Sequence, residues 1–171
     1  MHPVSGVKDS AIRPMQLVYS ESTEAVLTDG RHIPLSQDAA LVVALAGTAI
    51  PFAHSAEDEA ERWLRAMRLH GQVGSILQAL GVGEAPLMTG SEHDHSEGHG
   101  TPNLGPNVLD QVTECAEQFA VAREAETVGT PDILFAVLDV YDKLFDRALY
   151  LRGTSREELV ERLTASAAAR R

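Results

Sequence analysis

Apolar positions along the chain recur at spacings of three and four, and the breaks between runs fall at Gly, Pro and Ser. The run "QDAALVVALAGTAI", Gln37 to Ile50, is apolar nearly all round and predicts a buried helix, with Ser36 as N-cap and Pro51 as its end. Ser55 followed by Asp58 has the form of a capping box for a second helix. In that helix the acids come first and the bases last, in the sense of the helix dipole. Trp63, Leu64 and Met67, with His70 or Gly71, share one face. "QVGSILQALGV" predicts a third helix with Ile76, Leu77 and Leu80 inward and Gly81 as its stop.

The period is lost over residues 84–106, "EAPLMTGSEHDHSEGHGTPNLGP", which reads as a His- and Gly-rich linker. A second series follows over residues 107–171. Asn107 is its first N-cap, and Val108, Val112, Cys115 or Ala116, Phe119, and Ala122 or Arg123 trace a helical stripe. Thr130 is expected to cap the next helix, with Pro131 in its first turn where a missing N–H costs nothing. Ile133, Leu134, Val137, Leu138 and Tyr141 form that helix's buried face. Leu144, Phe145, Ala148 and Leu149 mark another helix, Gly153 stops it, and Ser155 with Glu158 caps a last one. Residues 1–14 are aperiodic and read as a flexible arm. Over residues 15–34 the turn pair Asp29-Gly30 among alternating positions predicts a short β-hairpin, or a helix followed by a turn.

The two series have one order: a long helix, a capped second helix, a short third helix and a glycine. "WLRAMRLHGQVGSILQALG" lies over "ILFAVLDVYDKLFDRALYLRG", with Trp63 over Ile133, Ile76-Leu77 over Ala148-Leu149, Gly81 over Gly153, and a shorter turn in the first copy. The expected fold is therefore all-α, a duplicated helical repeat of about eight helices. The first repeat covers 35–83 and the second 107–171, in one domain spanning 35–166.

The second copy, "VGTPDILFAVLDVYDKLFDRALYLRG", resembles the Clp N-terminal (Clp repeat) domain family, whose pattern reads "GTEHLLLALL…VA..VL..LG". The first copy keeps mainly the terminal "IL.ALGV". The resemblance implies a duplicated helical bundle that binds proteins or peptides at the front of a Clp unfoldase. In the family the glutamate of "TEH" is implicated in binding cationic or phosphoarginine-marked substrates. Pro131 stands at that position here, and Glu61 is a possible counterpart in the first copy. The chain also has no Gly-Lys pair, hence no phosphate-binding G-x-x-x-x-G-K-[ST] loop. The resemblance thus implies a stand-alone Clp N-domain-like protein without the ATPase modules, serving as adaptor, modulator or decoy in Clp-dependent proteolysis and binding degradation tags or peptide-like ligands.

Composition narrows the partners. The formal net charge of −11 repels phosphate backbones and anionic membranes, so a protein or peptide, above all a basic one, is expected rather than nucleic acid or lipid. Cys115 is the only cysteine among the 171 residues and cannot form an internal disulfide. No apolar run reaches the roughly 18 residues of a membrane span, and the start lacks a signal-like apolar stretch, so a cytoplasmic location is expected.

Candidate chemistry is sparse, and the chain reads as non-catalytic and without a cofactor. Phe135 falls off the buried face of its helix, flanked by Asp132 and Asp139. With Thr130 at the helix start these residues make an apolar spot edged with negative charge, suited to a basic-hydrophobic peptide. His93, His95 and His99 could hold a metal only weakly, because a linker must be ordered first. His54, Glu57, Glu61 and His70 lack the Glu-x-x-His spacing of a bundle metal enzyme. A helix-turn-helix regulator, with "VGSILQALGV" in its motif, would lack base-reading side chains. These two remain the rival readings. Cys115 reads as a core residue rather than a redox thiol.

The missing phosphate loop yields a first prediction. Millimolar ATP should leave the melting temperature unchanged, whereas a rise of several degrees would reveal a nucleotide site.

Overall fold

The computed structural model describes residues 32–83 and 102–169, and these form an all-α bundle. Seven α-helices and one 3-10 turn lie among the described residues, against the expected eight or so. They are α1 (Gln37–Ala49), the 3-10 turn Ile50–Phe52, α2 (Ala56–Arg68), α3 (Gly71–Ala79), α4 (Val108–Ala122), α5 (Thr130–Tyr141), α6 (Lys143–Leu151) and α7 (Arg156–Ala168). The arm over 1–14, nearly all of the segment expected as a hairpin over 15–34, and the linker histidines His93, His95 and His99 lie outside the described residues. No described helix is long and apolar enough to cross a membrane.

Local chemistry sets the helix ends. Ser36 caps α1 by accepting from the Ala39 N–H, Ser55 caps α2 through Asp58 N–H, and Ser155 caps α7 through Glu158 N–H. The reciprocal arms of the two expected boxes reach one residue further back than the standard pattern. Asp58 accepts from the His54 N–H at 3.1 Å, and Glu158 accepts from the Thr154 hydroxyl at 3.1 Å. Two expected caps are corrected. The Asn107 side chain makes no capping bond, and α5 is capped not by Thr130 but from within its first turn. Gly129 is the N-cap, and the Asp132 carboxylate reaches back to its N–H at 2.7 Å. Thr130 therefore enters the helix, and Pro131 follows it at no cost in hydrogen bonds.

The core is built on α2, α5 and α6, from Trp63, Met67, Ile133, Leu134, Phe145 and Leu149, with Leu77 of α3 added. Every residue expected on the buried face of α5 is buried. By contrast α1 is not a buried helix. Ala39, Val42 and Ala46 face the core, whereas Leu41 and Leu45 are 42% and 40% exposed, because α1 packs on α2, α4 and α5 from one side only. On α4 the inner position belongs to Ala116, and Cys115 is half-buried beside it. The only β-type pairing among the described residues is one parallel bridge between Leu35 and Val128. It ties the entry to α1 to the entry to α5 through Ser36 N–H to Val128 O and Val128 N–H to Pro34 O, both 2.9 Å.

The duplication is visible in the packing. Helix α2 packs on α6 and α3 on α5, while α2 and α5 pack on each other, as two copies related by a rough two-fold would. The short helices end alike. Gly81 and Gly153 have φ of +78° and +79°, and Val82 N–H to Leu77 O is repeated by Thr154 N–H to Leu149 O. The caps shift the second helices by one turn from the alignment expected from sequence. With Ser55 over Gly129, the buried residues Ala56, Ala60, Trp63, Leu64 and Met67 fall on the buried Thr130, Leu134, Val137, Leu138 and Tyr141. Trp63 thus corresponds to Val137, not Ile133. The turn after α2 is then the longer one, since His70 lies fifteen residues after Ser55 and Asp142 only thirteen after Gly129.

That longer turn places Gly71 at φ +64°, with α3 starting against α5. A Cβ on Gly71 would stand 2.8 Å from both Cγ2 and Oγ1 of Thr130, whereas one on Gly81 would meet nothing within 4 Å. Gly81→Ala should therefore cost about 1 kcal/mol from backbone strain alone, and Gly71→Ala about 2 kcal/mol or more. Urea unfolding of the two variants measures the difference, and equal losses would show that the contact with Thr130 is easily relaxed.

Candidate functional site

Helix α2 carries one residue that breaks the binary pattern. Glu59 lies three residues after Ala56 and four before Trp63, on the buried stripe, and is only 2% exposed. Removing a carboxylate from water costs several kcal/mol unless hydrogen bonds or a counter-charge replace the lost hydration. Two donors approach Glu59 Oε2: the Tyr141 hydroxyl of α5 at 3.1 Å, and more distantly the Leu104 N–H at 3.5 Å. Tyr141 accepts in turn from Trp63 Nε1–H at 3.2 Å. The resulting chain, Trp63 to Tyr141 to Glu59, leaves α2, crosses to α5 and returns. Burial, then the negative charge of Glu59, pushes the Tyr141 phenol well above the usual tyrosine range, so it remains a donor.

Glu59 also lines a pocket of about 430 Å³ where α2 meets the segment leading into α4. The other walls are Ile50 and Pro51 from the 3-10 turn, Asn103, Gly105 and Pro106 from the lead-in, and Val108 and Leu109 from α4. Both rims are anchored. Arg62 donates to Ala49 O at 2.9 Å and Phe52 O at 3.0 Å, which straps the 3-10 turn onto α2. Asp58 holds Arg62 in place at 3.1 Å, i to i+4 on the same helix. Burial raises the Asp58 pKa, but the Arg62 guanidinium and the His54 N–H outweigh it, and the carboxyl ends below its ordinary value. On the other rim Asn103 donates to Ala53 O at 3.0 Å.

The residues singled out in the sequence are arranged differently from expectation. Asp132 is 2% exposed and faces Arg123, which donates through Nε to Oδ1 at 2.8 Å and through a terminal nitrogen to Oδ2 at 2.5 Å. Its charge is spent on Arg123 and the α5 cap, so it does not edge a peptide-binding spot. Thr130 is likewise buried, its Oγ1 accepting from Val73 N–H at 3.4 Å. Phe135 is half-buried, with its ring 5.9 Å from that of Phe119 on α4, so it is covered on one side and does not stand free. Asp139 is exposed, 3.9 Å from Cys115 Sγ, and this leaves Phe119, Phe135 and Asp139 as a surface group. That group lies about 15 Å along α4 from the pocket wall at Leu109, by the helical rise.

Glu61 is paired with Arg152 at 2.5 Å, across α2 and the end of α6. With the helix caps aligned it lies opposite Phe135, whereas Glu57 lies opposite Pro131. Among the described residues no three His, Cys, Asp or Glu side chains come together as a metal site, so His54, Glu57, Glu61 and His70 do not converge. The sequence masks Glu59, because "EDEAE" reads as a first-turn acidic run. Its place on the Ala56–Ala60–Trp63 stripe was the signal that could have found it.

No protein-family model matches the chain, and no curated protein matches it either.

The hydroxyl of Tyr141 serves two buried groups at once. Tyr141→Phe should leave the Trp63 N–H without its acceptor and Glu59 without its closest donor, at a cost of about 2–4 kcal/mol in chemical denaturation. A loss under about 0.5 kcal/mol would mean that neither bond contributes to the fold.

Proposed function

We propose that this chain is a non-catalytic protein- or peptide-binding module, similar to the N-domain of Clp unfoldases, which acts in the cytoplasm as an adaptor, modulator or decoy in Clp-dependent proteolysis. The observation that carries this reading is the matched pair of helical series. Their second helices α2 and α5 share cap position and burial pattern, and their third helices end on equivalent glycines. This is the architecture that the resemblance of "VGTPDILFAVLDVYDKLFDRALYLRG" leads one to expect.

The states of Cys115 and Tyr141 also favour binding over catalysis. Burial raises the Cys115 thiol and the charge of Asp139 raises it further, the opposite of the shift that activates a nucleophilic cysteine. The Tyr141 phenol is held protonated as described. Ligand recognition of the family's "TEH" type would need its own chemistry here, since Pro131 offers no carboxylate and Asp132 is spent on Arg123.

A reconstituted Clp unfoldase and its protease, degrading an unstructured substrate with ATP, provide the test. Added in stoichiometric excess, the chain should change the degradation rate at least about twofold, up for an adaptor or down for a decoy, as expected for a partner well above its dissociation constant. An unchanged rate, with no co-migration of chain and unfoldase in gel filtration, would overturn the reading.

A further inference from the structure

We propose that the pocket at Glu59 is a receptor for the positively charged head of a basic peptide side chain, a specific ligand class for the binding module inferred above and resting on that reading. Glu59 is a carboxylate almost wholly removed from solvent, and among the described residues no Lys, Arg or His is bonded to it. The nearest guanidinium along α2, Arg62, is committed to Asp58 and to two carbonyls of the 3-10 turn. Both bonds that Glu59 accepts among the described residues arrive at Oε2, and neither engages Oε1.

The surroundings suit a basic side chain rather than a bare ion. Ile50, Pro51, Pro106, Val108 and Leu109 give the pocket apolar walls. Lysine and arginine have the matching anatomy, an aliphatic stem that packs on apolar surface and a charged tip. A volume of about 430 Å³ lies in the lower part of the range for ligand sites, enough for one long side chain and part of its backbone. A metal ion would find a single carboxylate, Glu59, among the lining residues. The net charge of −11 adds a long-range attraction for cations. Inside the pocket the same charge–charge contact is strengthened by exclusion of water, and a charge-assisted hydrogen bond to Oε1 would supply the counter-charge that Glu59 lacks.

The probe is N-acetyl-arginine amide, titrated into the full chain and followed by backbone amide NMR. Leu104 and Gly105 N–H should shift saturably, with half-saturation below about 10 mM. The amide of N-acetyl-citrulline, the same shape without the charge, should bind about tenfold or more weakly, and so should arginine amide to Glu59→Gln. Leu109→Trp obstructs the pocket from its α4 wall while keeping Glu59 in the chain, and should abolish the shifts. It keeps the test decisive if Glu59→Gln does not fold. Absence of saturation, equal binding of citrulline, or unchanged binding by Leu109→Trp would each overturn the proposal and leave Glu59 as a purely internal partner of Tyr141. The two readings fail separately. Leu109→Trp that still alters Clp-dependent degradation as the parent does would sink the pocket alone, and arginine binding without any effect on degradation would sink the Clp role alone.

Discussion

A carboxylate placed on the inner face of a helix is the constraint around which this molecule is arranged. Glu59 sits where an apolar residue would be the simpler choice, and its burial has to be offset by donors from elsewhere in the chain. The Tyr141 hydroxyl is the principal donor, and its position requires α5 to end beside the middle of α2. Trp63 then completes the chain from one turn further along α2, so the largest apolar side chain of the core is oriented by a polar bond. A sliding or rotation of α2 against α5 would break all of these bonds together, which makes the central pair of helices a specific rather than a merely greasy contact.

The same pair is the centre of the duplication, and the polar chain shows how the two copies have diverged. At matched positions Glu59 faces Ile133 and Trp63 faces Val137, while Met67 faces Tyr141. The bulky and polar members are thus distributed unevenly between the copies. The entries to the second helices diverged too. In α2 a serine hydroxyl caps the helix and the following acid engages Arg62, whereas in α5 a glycine takes the cap and Asp132 is locked to Arg123. Each solution satisfies one backbone N–H at its helix entry, but only the first also straps down the 3-10 turn that walls the pocket.

These differences bear on function. An even duplication would present two equivalent surfaces, whereas here a pocket with the buried carboxylate of Glu59 lies on the α2 side and the matched position on α5 is the apolar Ile133. Recognition built on this frame would therefore be one-sided. The surface group of Phe119, Phe135 and Asp139 stands apart from it, near the far end of α4.

Much of this organisation was legible in the residues alone. Helix spacing, the serine caps at 36, 55 and 155, the glycine stops at 81 and 153, and the buried face of α5 all follow from local periodicity and backbone chemistry. A helix expresses such signals within one or two turns of chain. What only the tertiary structure decided depends on neighbours distant in sequence. Leu41 and Leu45 are exposed because α1 is covered on one side, and Asp132 is silent because Arg123 reaches it from the end of α4. Glu59 is buried because Tyr141, eighty-two residues away, brings it a hydroxyl. Hydrophobic spacing reports which way a side chain faces along its own helix. Whether a charge on that face is paired, buried or open to a ligand is set by the partner helix, and no local pattern encodes it.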